Sequence, residues 1–371
     1  MPFTYPHFGS LTYVIESLLN ELGIDALVPI KPTKKTAELG ARYGPEFVCT
    51  PFKLTLGTFI EMLNKGADVI GMGGCNAYCR FGYYWPVQKL ILEDMGYDNF
   101  RFVHIDYEKP LNILKTLKAE SAGLNTLQTI RAFQITWVKN RLTDRVDNLV
   151  YRYRALEVIK GSTDRLAQKL FRKIVETRGL LNIRKLYKEI PEIFKREIET
   201  YKDKGRLKVS VTGEIYVVLE PALNVDVCRK LNNLGVIVET PITLRRFIDI
   251  GQKLNPFKKM HYLKARKLGE PYVAHRVGGE TQENLGDIIY YKKLGFDGNV
   301  HLYPFTCMPE IITRAIAPEI SRKYDMPFLS LVVDEHTGEA GFQTRLEAFV
   351  DLLKRKKEDK TQQVQIMEVI P

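Results

Sequence analysis

The sequence predicts an α/β protein in which two parallel-sheet regions are separated by a helical insert. Helix and strand patterns alternate with short connections towards both ends of the chain, as is typical of a parallel sheet covered by helices. Between about Pro110 and Lys204 the pattern changes to long segments with a period near 3.6 residues and few glycines. We therefore divide the chain into a first α/β domain (1–109), a basic helical middle region (110–205), a second α/β domain (206–356) and a frayed polar tail (357–371).

The first domain opens with a helix over 10–22, "SLTYVIESLLNEL", for which Ser10 is a suitable N-cap. The apolar stretch "GIDALVPI" predicts a short strand. A second helix, "KLTLGTFIEMLNKG", ends at Gly66, and the segment "ADVIGMGG" after it predicts a buried strand.

The second domain resumes a β-rich pattern at "GRLKVSVTGEIYVVLEP", followed by a helix at "VDVCRKLNNLG" and a strand at "VIVETP". A Lys-rich helical piece is expected near 256–268. The segment "DIIYYKKLGFDGNVHLYPFTC" then repeats the order helix, glycine turn, strand and cysteine of "TFIEMLNKGADVIGMGGCNAYC". This similarity indicates a weak internal duplication. A final strand and a terminal helix lie in "MPFLSLVVDEHTGEAGFQTRLEAFVDLLKRK".

Length and composition indicate a multidomain protein without a membrane span or a disulfide framework. A chain of 371 residues is longer than one ordinary domain. No run of 18 apolar residues predicts a membrane span, and the first ten residues have no secretory pattern. Five cysteines are an odd number, which favours reduced thiols in a cytoplasmic protein over a disulfide framework.

The positive charge is concentrated in the middle of the chain. Residues 151–208 hold 17 Lys and Arg against 8 Asp and Glu, which accounts for nine of the net charge of +11. Such a patch is compatible with a phosphate-bearing ligand such as coenzyme A, with an acidic protein partner, or with a solvated helical face. No nucleic-acid-binding motif accompanies it, so nucleic acid ranks last.

Two of the cysteines occur in the same local pattern, Cys-x-Pro. They are Cys49 in "EFVCTPFKL" and Cys307 in "PFTCMPEII". Because proline is favoured at the first helical position, each pattern predicts a sulfur at a helix N-terminus. The unpaired amides and the helix dipole there favour a thiolate, the form that binds metals.

The loop "GGCNAYCRFGYYW" adds Cys75 and Cys79, four residues apart, at the carboxyl end of a predicted parallel strand, where ligands gather in such sheets. Arg80 offers positive charge, and the aromatic run after it could exclude water. Thiolates suit both zinc and iron–sulfur clusters. The wide separation of the cysteines differs from structural zinc sites and modestly favours a cluster. The alternative is that they are small buried fillers, and for Cys228 we adopt that alternative.

Five segments also resemble a known family. They are "PEFVCTPFKLTLGTFIEMLNKGADVI", "CRFGYYWPVQKLILEDMGY", "TGEIYVVLEP", "DGNVHLYPFTCMPEI" and "DEHTGEAGFQTRLEAFVDLL". Together they resemble the 2-hydroxyacyl-CoA dehydratase D-component family, in particular its branch of acyl-CoA dehydratase activase-related proteins. The resemblance covers most of the chain outside the helical middle.

The resemblance implies two Rossmann-like domains that hold one 4Fe–4S cluster between them, with Cys49, Cys79 and Cys307 as its ligands. It further implies a cytoplasmic, oxygen-sensitive protein that accepts low-potential electrons from a separate ATP-hydrolysing iron–sulfur activase. The electrons would be used on an acyl-CoA or another small molecule, in a dehydratase (lyase) or a reductase system. The partner subunit would be a second copy or a similar chain.

Two features depart from the family pattern. Cys75 provides a fourth thiol, which would close the cluster for electron transfer if it binds iron and leave one iron open if it does not. Five cysteines are too few for a double cubane, so one cluster per chain is expected. The alternatives are a non-catalytic electron-transfer or assembly subunit that binds the activase through its basic helices, and a zinc-stabilised α/β scaffold. No catalytic residue is predicted, and Glu310 and the histidines His7, His301 and His336 are expected to be structural.

Overall fold

Two parallel sheets form the framework of the chain, which confirms the predicted α/β class. The structure is a computed structural model, and it describes residues 1–74, 79–106, 110–203, 205–247 and 261–369. Within these residues no helix is both long and apolar enough to cross a membrane.

The first sheet has three strands in the order β1-β2-β3, all parallel. Its strands are β1 (Phe3–Thr4), β2 (Val69–Gly74) and β3 (Arg101–Asp106). Its helices are α1 (Leu11–Glu21), α2 (Lys34–Tyr43), α3 (Thr50–Leu63) and α4 (Tyr84–Asp94), with a 3₁₀ turn at Arg80–Tyr83.

The described part of the middle region is helical, as predicted. It consists of α5 (Pro110–Glu120), α6 (Thr126–Leu156), α7 (Ser162–Glu176) and α8 (Leu180–Glu197). Helices α6, α7 and α8 bury a common apolar core that includes Leu142, Phe171 and Phe194. None of the charged residues of α7 and α8 is buried, whereas Lys139, Asp144 and Arg154 of α6 are.

The second sheet has four parallel strands in the order β5-β4-β6-β7. They are β4 (Lys208–Gly213), β5 (Ile237–Glu239), β6 (Gly298–Pro304) and β7 (Phe328–Val333). The helices of this region are α9 (Ile215–Leu219), α10 (Val227–Asn233), α11 (Leu244–Phe247), α12 (His261–Gly269), α13 (Thr281–Lys293), α14 (Met308–Lys323) and α15 (Glu339–Val369).

One segment read as a strand in the sequence is a helix in the structure. The apolar run after Gly213 forms α9 because the Glu214 carboxylate accepts a hydrogen bond from the Val217 amide and caps the helix. Gly213 has a φ of +135°, and a Cβ there would lie 1.8 Å from the carbonyl oxygen of Leu302. The strand therefore ends in a turn that only glycine fits.

Two other expectations are corrected, and a third falls partly outside the described residues. The predicted strand over 23–30 is wrong, because this stretch makes only an isolated bridge between Ala26 and Phe3. The expected frayed tail is helical as far as Val369. The Lys-rich helix begins at His261, and the first part of its predicted range lies outside the described residues.

Two helix pairs pack closely through glycines. In the first, a Cβ on Gly40 would lie 1.7 Å from the Lys53 carbonyl oxygen, and one on Gly57 would lie 1.9 Å from that of Thr36. Helices α2 and α3 thus cross in backbone contact. Helices α12 and α13 do the same, since a Cβ on Gly269 would lie 1.9 Å from the Gln282 oxygen and one on Gly286 1.7 Å from the Ala265 oxygen.

Candidate functional site

Cys49 and Cys307 occupy the same position relative to a helix. Cys49 is the N-cap of α3 and Cys307 is the N-cap of α14, both with extended backbone angles. This confirms that each Cys-x-Pro pattern begins a helix. Pro51 and Pro309 are the second helical residues, not the first as predicted, because each helix starts one residue earlier. An exposed phenylalanine, Phe47 or Phe305, lies two residues before each cysteine.

Cys79 also precedes a helical turn. It is the N-cap of the 3₁₀ turn Arg80–Tyr83 and is partly buried. Its turn follows the carboxyl end of β2, where the sequence predicted a ligand. Cys75, the proposed fourth ligand, lies outside the described residues.

One backbone oxygen connects the three cysteine segments. The carbonyl of Phe47 accepts a hydrogen bond from the Arg80 guanidinium at 2.7 Å and another from the Thr306 hydroxyl at 3.3 Å. Each of these three residues is one or two positions away from a candidate ligand. The site is therefore assembled from both α/β regions.

Further contacts fix α3 against the end of β7. The Thr50 hydroxyl donates to the Val333 carbonyl at 3.1 Å. The buried Lys53 ammonium pairs with Glu335 at 2.6 Å and donates to the Glu46 carbonyl at 3.0 Å. These bonds hold the entrance of α3 beside the carboxyl edge of the second sheet.

The electrostatics differ from the sequence expectation. Burial raises the pKa of both the Cys49 and the Cys307 thiol. The backbone amides of Phe52 and Glu310, each three residues after its cysteine, lower these pKa values as expected at a helix N-terminus, but neither sulfur makes a full side-chain cap bond. Loss of hydration outweighs the amides, so the prediction of activated thiolates is wrong for the protein without a bound cation.

Glu214 is a buried site residue that sequence reasoning did not identify. Burial raises its pKa to about 7, and its charge in turn raises the pKa values of Cys49, Cys307 and Tyr84. It follows Gly213 at the carboxyl end of β4. The sequence signal was the pair Gly213–Glu214 directly after a predicted strand. It was missed because the residues after Glu214 were interpreted as a continuation of that strand.

The aromatic segment after Cys79 has a divided role. The Tyr84 hydroxyl shares a hydrogen bond with the Cys49 sulfur and is buried, and its ring packs edge-on against Phe52 and Phe81. Tyr84 thus shields and orients the Cys49 thiol. Tyr83, in contrast, is 72% exposed.

Exposed apolar residues lie close to the three candidate cysteines along the chain, and we call them the apolar rim. We define the rim as Phe47, Tyr83, Phe305, Met308 and Ile311, all of which are more than 40% exposed. Each lies within four residues of a candidate ligand. Apolar side chains grouped around a site are typical of a surface that another molecule covers.

Three of the four residues expected to be structural, His7, His301 and Glu310, have side-chain hydrogen-bond partners, and His336 is exposed. His301 Nε2 lies 2.8 Å from Glu310 Oε2 and its Nδ1 lies 3.0 Å from Ser330 Oγ, while His7 Nδ1 lies 2.6 Å from Glu220. The buried Glu310 carboxylate also accepts from the Asn284 amide at 3.0 Å. These bonds satisfy buried polar groups, as expected of structural residues.

Cys228 is packed in the core of the second α/β region together with Val209, Leu231 and Val300. Burial raises its pKa to about 12. Its position agrees with its interpretation as a small apolar filler, and it provides a matched control for the other cysteines.

The thiol groups of Cys49, Cys79 and Cys307 are of the chemical type that binds iron–sulfur clusters. The four cysteines among the described residues form no disulfide. A metal cation displaces the proton of a thiol that binds it, so raised pKa values do not prevent binding. Among the described residues, no three His, Cys, Asp or Glu side chains are close enough together to hold a single metal ion. A cubane is held at separate corners, so its ligands need not converge on one point.

Comparison with protein-family models gives no match, and comparison with curated proteins gives none either. The geometry of the cysteine segments therefore carries the functional argument.

Proposed function

We propose that this chain is an iron–sulfur protein of the 2-hydroxyacyl-CoA dehydratase type, in which Cys49, Cys79 and Cys307 hold one 4Fe–4S cluster. The proposal depends on one observation: the Phe47 carbonyl bonds Arg80 and Thr306, and so joins the three segments that carry these cysteines. When bound, such a cluster carries an electron at low potential, and an iron without a cysteine ligand acts as a Lewis acid on a substrate oxygen.

The surrounding residues have defined tasks in this proposal. Tyr84 orients the Cys49 sulfur, and the amides of Phe52 and Glu310 are directed at the two N-cap sulfurs. Glu214 and Glu310 place buried carboxyl groups near Cys307. The packing of α3, in which twelve of fourteen residues are buried, excludes water from the first side of the site.

The apolar rim supports a protein as the electron donor. A separate activase that docks on the rim would bring its own cluster close to the cysteines, and apolar contact that excludes water is typical of the centre of such interfaces. The substrate of the reaction is then an acyl-CoA or another small molecule.

Anaerobic purification followed by iron and sulfide analysis tests the proposal. We expect a brown protein with about four irons and four sulfides per chain, the composition of one 4Fe–4S cluster. The variants Cys49→Ser, Cys79→Ser and Cys307→Ser should each lose most of the iron, whereas Cys228→Ser should retain it. Equal iron content in all four variants would refute the ligand assignment, and a colourless protein containing zinc would support the zinc scaffold.

The Cys75→Ser variant separates catalysis from simple electron transfer. An unchanged cluster spectrum indicates an open iron and favours the enzyme, and loss of the cluster favours the non-catalytic carrier. Mixing the protein with a candidate activase under reducing, oxygen-free conditions then tests the partner. ATP-dependent bleaching of the cluster is the expected result.

A further inference from the structure

A polar cavity lies at the carboxyl edge of the first sheet. It has a volume of about 480 Å³, and the described residues that line it are Trp85, His104, Asp106, Asn112, Lys115 and Thr116. They come from the first turn of α4, the end of β3 and the first half of α5. Ligands of parallel α/β sheets gather at this edge.

The cavity contains polar groups with unused bonding capacity. The Nε2 atom of His104 is buried and has no hydrogen-bond partner among the described residues. The exposed Lys115 makes no ion pair there either. Buried polar atoms in native proteins are normally paired, so an unpaired imidazole nitrogen beside a cavity points to a ligand.

The second sheet shows that the fold does not require these residues. Strand β7 lies at the edge of its sheet beside β6, as β3 lies beside β2. Where β3 ends with His104 and Asp106, β7 ends with Leu331 and Val333, both fully buried. The positions of His104 and Asp106 on β3 are therefore occupied by apolar residues on the corresponding strand β7.

The ring of Trp85 provides a flat apolar wall. It stacks on His104 with centroids 5.2 Å apart and an interplanar angle of 19°. With Lys115 and His104 as donors and one carboxyl group, Asp106, as acceptor, the lining suits a small molecule with an anionic group and a flat or apolar body.

We infer that this cavity is a binding site for the carboxylate or phosphate group of a small organic anion, with Lys115 and His104 as its donors and Trp85 as its wall. Cys49, Cys79 and Cys307 are not among the described lining residues, although Trp85 belongs to the aromatic segment that follows Cys79. The inference stands whether or not the chain holds a cluster, so iron content and anion binding are tested independently.

Calorimetric titration with benzoate, with its uncharged counterpart benzamide and with inorganic phosphate tests the inference. We expect saturable binding of benzoate or phosphate and at least tenfold weaker binding of benzamide. The anion that binds identifies the preferred group. In a Trp137→Phe background Trp85 is the sole tryptophan, so a fluorescence change with the same midpoint would place the ligand at this wall.

Matched variants assign the donors. Lys115→Ala should weaken anion binding at least about tenfold, because a charge-assisted hydrogen bond is lost, and His104→Gln should weaken it less. Lys118→Ala, one turn further along α5, should bind as the parent does. Unchanged binding by Lys115→Ala, equal binding of benzamide and benzoate, or the absence of saturable binding by both anions would each overturn the inference.

Discussion

The helix pair α2–α3 and the helix pair α12–α13 are the same packing unit used twice. In each pair the two close-contact glycines are 17 residues apart, Gly40 and Gly57 in the first, Gly269 and Gly286 in the second. The repeat continues through a left-handed glycine and an aspartate, Gly66 and Asp68 against Gly295 and Asp297, into strands β2 and β6. The internal duplication expected from the sequence thus has a structural counterpart.

Of the candidate ligands, Cys307 approximately follows this duplication and Cys49 does not. Cys49 lies eight residues before Gly57 and corresponds to Gly278, eight residues before Gly286. Cys307 lies 21 residues after Gly286 and corresponds to position 78, next to Cys79. The two Phe-x-Cys-x-Pro segments therefore lie at different places in the repeat, one before the strand of its unit and one after it. The shared spacing of the two units therefore extends to the position of Cys307 but not to that of Cys49.

The largest expected effect tests whether the two helix pairs are equivalent. Gly57→Ala and Gly286→Ala should each lower the free energy of unfolding by about 3 kcal/mol or more, because the added Cβ meets backbone. Urea denaturation measures both. Gly341→Ala in α15, which has open space around it, is the control and should be neutral or stabilising. A tolerated substitution in only one pair would show that the pairs differ.

A second prediction concerns the helix that joins the two units. Burial, aided by the charge of Asp144, raises the pKa of Asp147 on α6 to about 7, while the Ser10 hydroxyl donates to it at 2.5 Å and lowers the pKa. The folded state thus keeps a proton that the unfolded state releases near pH 4. This contribution to stability is present below pH 4 and lost as pH rises to 7.

Asp147→Asn should therefore become more stable than the parent as pH rises from 5 to 8, by on the order of 2 kcal/mol, since Asp147 is partly exposed and its cost of ionisation is reduced. Urea denaturation at both pH values measures the difference. Asp98→Asn, at an exposed position, should show no such trend. A stability difference between the Asp147→Asn variant and the parent that does not change with pH would contradict a protonated Asp147 carboxyl group.

The rim provides a third comparison, between Phe47 in the first unit and Phe305 in the second. If the activase covers the whole rim, Phe47→Ser and Phe305→Ser should each slow ATP-dependent reduction of the cluster by about tenfold, the effect of losing a buried aromatic contact in an interface. Iron content should not change. Leu181→Ser, an exposed apolar residue on α8, is the control. An effect at only one phenylalanine would limit docking to that unit.

The smallest expected effect concerns the hydrogen bond between Tyr84 and Cys49. Tyr84→Phe removes the hydrogen bond to Cys49 and should cost about 1 kcal/mol in the free energy of unfolding. The control is Tyr303→Phe on β6. The Tyr303 hydroxyl accepts a hydrogen bond from Arg314 at 2.9 Å, so this variant loses a comparable hydrogen bond away from Cys49. Alkylation of Cys49 should become faster only in the first variant. Equal rates in both would contradict the orienting role of Tyr84.

Helices and strands with strong hydrophobic periodicity could be predicted from the sequence. Strands that are defined mainly by hydrogen bonding to a neighbouring strand could not. Helix α1 and strand β6 follow their apolar patterns closely. Strand β1 has only two residues, and β3 alternates poorly, so neither has a pattern that sequence alone could detect. Strand β1 exists because it pairs with β2.

The same division applies to the candidate site. The Cys-x-Pro pattern is local, so the N-cap positions of Cys49 and Cys307 could be predicted. The roles of Glu214 and Tyr84 depend on contacts between distant segments. The balance of burial against helix amides also depends on tertiary packing, and this is why the thiolate expectation failed.

The hydrogen bond between Thr306 and the carbonyl of Phe47 spans 259 positions of the chain. During synthesis the amino-terminal portion emerges with its thiols long before the segment that completes the cleft. In the proposed iron–sulfur protein, a core held by all three cysteines can therefore form only after residue 307 has been synthesised, well after the first α/β region.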